Sequence, residues 1–186
     1  MDDVLSLIRQ RQSCRNFDPS RFVEKEKLIE ILQMAALSPS ACNSQPWRYV
    51  AVDEPQRVEQ VAQCLQDAGM NKFSGKATAF VVAIEGRQNL TAKVNESLKN
   101  QKFSGIDLGL SVAHLVLAAQ AVGVSSCILG WFNERKLKML LGIPKTRRIR
   151  LVIALGYSMP DDKLRTKQRR KFDEVISFNK FNRPLG

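Results

Sequence analysis

Residues 38–47 read Ser38-Pro39-Ser40-Ala41-Cys42-Asn43-Ser44-Gln45-Pro46-Trp47. Two prolines fix the backbone at two points, and four short polar side chains, Ser38, Ser40, Asn43 and Ser44, can present donors and acceptors from this stiffened connector. Such a loop can edge a planar heteroaromatic ring, or it can be a rigid connector whose Trp47 enters a core. Its flanks say what it joins. Leu28, Ile31, Leu32 and Ala35 recur at helical spacing ahead of it, which predicts a helix over 24–37 stopped by Ser38-Pro39. Behind it, residues 48–52 predict a short strand.

Further along, Pro55 opens a helix carrying Val58, Val61, Ala62 and Leu65 on one side, and residues 77–84 predict a buried strand. Residues 87–102 are polar on most faces, with Leu90, Val94 and Leu98 at four-residue spacing, and predict an exposed helix. Residues 106–122 predict a buried helix stopped at Gly123; the apolar stretch 108–124 within and beyond it follows Asp107 and is broken by His114 and Gln120, so it falls short of a membrane span. A strand over 125–132, a helix over 134–141 and a strand over 149–157 follow. At the other end, Val4, Leu5, Leu7 and Ile8 form a short helix that runs into the polar, basic stretch 9–15, and Asp18-Pro19-Ser20 breaks the pattern. Helices and strands interleave but strands are few, which favours an α+β fold. Residues 1–160 form one domain. Residues 161–186 form a basic extension whose Val175, Ile176, Phe178 and Phe181 need a surface to bury against, and we expect that surface on another subunit.

Composition narrows the function classes. With 186 residues, 44% apolar and 25% charged, the chain is neither disordered nor collagen-like and can build a core without metal or disulfides. Four separated cysteines and a single histidine leave little material for a zinc site, so no metal is expected, and reduced thiols fit a cytoplasmic location. Met1-Asp2-Asp3 lacks the basic start of a secretory signal. Lys plus Arg exceed Asp plus Glu by 29 − 18 = 11, which points to an anionic partner: nucleic acid, anionic lipid or a phosphorylated small molecule. Arg11, Ser13 and Arg15 alternate, so in an extended segment two guanidinium forks and a hydroxyl face one side, a set suited to phosphate; a solvated basic edge has the same pattern. His114 reads as a core or interface histidine, Cys14 as a thiol between two arginines, and Cys42, Cys64 and Cys127 as packed small side chains.

Taken together, Arg11-x-Ser13-x-Arg15, the 38–47 segment, Cys127-Ile128-Leu129-Gly130-Trp131, Leu141-Gly142-Ile143-Pro144, Leu155-Gly156-Tyr157 and Arg169-Arg170-Lys171 resemble, in this order, the FMN-dependent nitroreductase family. The resemblance implies an α+β fold with a central, mostly antiparallel or mixed sheet flanked by helices, in a homodimer whose subunits exchange C-terminal segments and build FMN sites at their interface. By similarity, Arg11 and Ser13 would hold the FMN phosphate with Arg170 and Arg169, and Arg15 would lie nearer the flavin pyrimidine edge. Pro39, Ser40, Ala41 and Asn43 of the opposite subunit would line the ring, with Leu129 and Gly130 where backbone approaches it. Met70, Thr78 and Gln168 depart from the family's frequent residues.

The implied activity is hydride transfer from NADH or NADPH to flavin N5 and on to nitroaromatic, quinone or related acceptors by a ping-pong mechanism, with no catalytic side chain required. Relatives of the same fold with other roles are flavin-destroying, dehalogenating or azoline-oxidising; residues 89–105, with Phe103, would form the lid that sets substrate choice. A competing reading is a nucleic-acid-binding module using the basic clusters 145–150 and 163–171, although neither is interleaved with stacking aromatics. With the charge assigned to FMN and a nicotinamide cofactor, neither nucleic acid nor a membrane is expected as a partner.

Overall fold

In the computed structural model, which describes residues 4–92, 94 and 101–181, the described strands make one four-stranded sheet. They are β1 (Trp47–Val52), β2 (Ala79–Glu85), β3 (Ser125–Leu129) and β4 (Ile149–Gly156), in the spatial order β1-β2-β4-β3 with every pairing antiparallel. The described helices are α1 (Val4–Gln10), α2 (Lys25–Ala36), α3 (Pro55–Leu65), α4 (Phe103–Ala121), α5 (Glu134–Leu141) and the single turn α6 (Phe172–Val175).

The inner strand β2 is apolar from Ala79 to Ile84 because both faces of the sheet are covered. Ala79, Val81 and Ala83, with Ile153 and Leu155 of β4, pack against Leu28 and Ile31 of α2 and Leu108, Val112 and Leu115 of α4. The alternate residues Phe80, Val82 and Ile84, with Val152 and Ala154, pack against Val58, Val61 and Leu65 of α3 and Leu137 of α5. Period-two alternation thus assigns each strand residue to one of two core layers.

Three boundaries differ from the sequence expectation. β3 stops at Leu129 rather than at 132, because Trp131 Nε1 is drawn to the Asp67 carbonyl (3.1 Å), and Asn133 turns to cap α5, accepting from the Lys136 N–H. Residues 87–89 are not helical, a helix is present at 90–92 and 94, and the remainder of that expected helix, 93 and 95–100, lies outside the described residues apart from the non-helical 101–102. α4 starts at Phe103, and it is buried on one side only: Ile106 and Leu110 are 51% and 44% exposed, and His114, one further turn along, is exposed with them. By length and composition α4 could cross a bilayer, contrary to the expectation from its polar interruptions; its packing against the sheet makes it a core helix.

Candidate active site

The segment after α1 runs along the free edge of β3. Ser13 bridges Ser126 in parallel, and the Cys14 N–H donates to the Ser126 carbonyl at 2.9 Å. Phe17, fully buried, anchors its end against Gly156, where a Cβ would stand 2.9 Å from the Phe17 ring; glycine permits that approach. Residues 159–167 lie against the same segment. Met159 N–H donates to the Asn16 carbonyl (2.9 Å), Gln12 donates to the Lys163 carbonyl (3.3 Å) and accepts from the Arg165 N–H (3.1 Å), and Lys167 Nζ donates to the Arg11 carbonyl (2.8 Å).

Between these two stretches is a cavity of about 300 Å³, lined by Arg11, Gln12, Ser13 and Arg15 from one side and by residues 165–169 from the other. Five cationic residues, Arg11, Arg15, Arg165, Lys167 and Arg169, line it together with Ser13, whose side chain also meets the Cys127 thiol. The Lys167 ammonium is held below the usual lysine range by partial loss of hydration and by the charges of Arg11, Arg169 and Arg165. A pocket that penalises its own positive charge gains most from an anion, and guanidinium forks with a hydroxyl match the oxygens of a phosphate. Behind the cavity, Asp162 pairs with Arg165 at 2.9 Å. The flanking arginines do not activate Cys14: burial pushes its thiol up to about 11, and the nearby Asp162 carboxylate adds to the rise.

The 38–47 loop is built differently. Cys42, Asn43 and Gln45 adopt left-handed backbone angles (φ 52°, 49° and 45°), held by side chains that close on the loop itself. Ser40 Oγ accepts from the Gln45 N–H at 2.9 Å, and the Gln45 amide donates to Asn43 Oδ1 at 3.0 Å. The buried Asp107 of α4 accepts the Ala41 N–H at 3.2 Å on each oxygen, and Asn89 binds Ser44 Oγ (2.8 Å) and the Cys42 carbonyl (2.9 Å). Gly86 donates to the Pro46 carbonyl, and a Cβ there would stand 2.8 Å from that carbonyl carbon. Trp47 is core, but Cys42 is exposed rather than packed, because its left-handed turn carries it outward.

Among the described residues of one chain, the cavity gathers Arg11, Ser13, Arg15 and Arg169, and does not include Arg170. Pro39, Ser40, Ala41 and Asn43 do not line it. Leu129 and Gly130 do not line it either; the Leu129 side chain belongs to the core, and Gly130 is exposed with open space where a Cβ would stand. Phe103 is half-buried at the first turn of α4.

The sequence pattern of the Nitroreductase family matches residues 8–72 and 59–157, a span that contains residues 11–16 of the cavity, the loop and the whole sheet. The chain belongs to the nitroreductase family. The chain is 28% identical over 184 residues to an oxygen-insensitive NADPH nitroreductase of Helicobacter acinonychis, covering 81% of this chain and 85% of that one. Its fold is that of a nitroreductase family protein from Streptococcus pneumoniae (TM-score 0.78, 22% identity, 94% of this chain and 99% of that one). An FMN-dependent nitroreductase from Clostridium difficile aligns with TM-score 0.74 at 22% identity, over 95% of this chain and 99% of that one. The chain is therefore an oxidoreductase, with the expected α+β fold around an antiparallel sheet.

Sequence reasoning missed Arg165, Lys167, Asp162 and Asp107. A signal existed for part of this set: Arg165, Lys167 and Arg169 alternate just as Arg11, Ser13 and Arg15 do.

Proposed function

We propose that this nitroreductase binds FMN with its phosphate in the cationic cradle and, as a homodimer, carries reducing equivalents from NADH or NADPH to nitroaromatic, quinone or related acceptors. The convergence of five cationic residues and Ser13 on one cavity carries the reading. Arg11, Ser13, Lys167 and Arg169 would hold the phosphate. Arg15, exposed at the same cavity, supplies a cation that stabilises negative charge on a reduced ring. When bound, the flavin supplies the redox chemistry, a two-electron exchange that asks no side chain to act as acid or base.

A second copy of the chain would bring its 38–47 loop to the ring. Two exposed apolar features support that assembly: the Ile106, Leu110, His114 stripe of α4, and the C-terminal side chains Phe172, Val175 and Phe181, which are 62%, 57% and 90% exposed. The nucleic-acid reading is weakened by ion pairs within 145–150, since Arg148 pairs with Glu134 and Arg150 with Glu85. The test is spectroscopic. The purified chain should show a flavin absorbance spectrum or take up FMN at micromolar concentration, migrate as a dimer, and oxidise NADH or NADPH with ping-pong kinetics. A colourless chain that does not bind added FMN rejects the proposal.

A further inference from the structure

The cradle is held in shape from behind, and the geometry points to Asp162 and Arg165 as a positioning pair that fixes the Ser13–Cys14 peptide for phosphate binding; the inference rests on the flavin reading above. The Asp162 side chain is only 9% exposed. Its Oδ1 meets Arg165 Nη1 at 2.9 Å, while its Oδ2 is enclosed without a hydrogen-bond partner. The other arm of the same guanidinium, Nη2, donates to the Ser13 carbonyl at 2.6 Å. Across the peptide unit, the Cys14 N–H donates to the Ser126 carbonyl at 2.9 Å. This planar unit is therefore pinned at both polar ends, one by the C-terminal segment and one by β3, which sets the direction in which Ser13 faces the cavity.

Arg165 uses two nitrogens of one planar fork, Nη1 for the carboxylate and Nη2 for the carbonyl, and a lysine ammonium does not reproduce that fixed spacing. The carboxylate is also in an unexpected place. A negative charge directly behind an anion subsite opposes the anion, so by charge alone its removal should tighten binding. A positioning role requires the reverse sign. Asp162→Asn keeps the shape and removes the charge, and Arg165→Lys, at a residue whose side chain is 49% exposed, keeps the charge and removes the fork.

The test is titration of the flavin-free protein with FMN and with riboflavin, which lacks the phosphate, together with amide exchange over residues 11–16. Each variant should weaken FMN binding about tenfold, the scale of one charge-assisted hydrogen bond. The double variant should be no weaker than either single one, riboflavin binding should be unchanged, and exchange at 13–16 should quicken. FMN binding that stays equal or tightens in Asp162→Asn overturns the inference, as does a parallel loss of riboflavin binding or unchanged exchange. Wild-type protein that binds no FMN while the exchange contrast persists rejects the flavin reading and leaves the pinned peptide standing.

Discussion

The cradle and the 38–47 loop solve the problem of holding polar groups in place by opposite means. In the cradle, residues 11–16 and 159–169 are far apart in sequence and hold one another through side chains that reach backbone: Gln12 to 163 and 165, Arg165 to Ser13, Lys167 to Arg11. The loop closes on itself through Ser40, Asn43 and Gln45 and is tied to the body at Asp107, Asn89 and Gly86. One region is a long-range electrostatic assembly, and the other is a local backbone shape. A perturbation of charge should therefore damage the first and spare the second, and a perturbation of backbone volume should do the reverse.

Arg11→Ala removes a guanidinium from the cradle and is expected to weaken FMN binding by about a hundredfold in a fluorescence titration, the scale of two charge-assisted hydrogen bonds. The melting temperature should hardly move. Gly86→Ala attacks the loop: its Cβ would stand 2.8 Å from backbone rather than from a yielding side chain, so a loss of about 1–3 kcal/mol is expected in urea unfolding. Asp107→Ala leaves the Ala41 N–H without its acceptor at a cost of about 1–2 kcal/mol, and amide exchange should quicken at Ala41 while residues 11–16 stay protected. If either loop variant loosened the cradle as much as the loop, the division between the two regions would fail.

The effect that shows only at high pH comes from Cys14. The Cys14 thiol has its folded pKa near 11 against an ordinary 9.0, so between those values the unfolded chain has released a proton that the folded chain retains. Stability must fall as pH rises through that window and be insensitive to this group below it. Urea unfolding from pH 8 to 11 should show a shallower decline in Cys14→Ser than in the wild-type chain. The same burial predicts that Cys14 resists alkylation at pH 8 until the protein unfolds.

Local patterns in the sequence were enough for the cradle's first half, because alternation of Arg11, Ser13 and Arg15 is a property of the extended backbone itself. Its second half reads locally as a basic extension, and only the family resemblance brings Arg169 and Arg170 to the phosphate. The position of Arg165 and Lys167 is set by Gln12 and by the Ser13 and Arg11 carbonyls, more than 150 residues away by count, and no local preference encodes such a contact. The loop's ends were legible from Pro39 and Pro46, but its tie to Asp107 was not, since α4 and the loop meet only in the folded chain. The overlong β3 has a similar cause. Apolar residues continue through Phe132, and the strand ends where a turn 60 residues earlier claims Trp131 through the Asn71 amide.

The bridge between Ser13 and Ser126 has a consequence for solubility. β3 is an outer strand, and its unpaired amides and carbonyls would otherwise invite pairing with another molecule. Residues 11–16 sheathe that border, so the stretch that gathers cations on one side keeps the sheet from being extended on the other. Loosening it would uncover a growth point, and precipitation under storage would then report on the same few residues as ligand uptake.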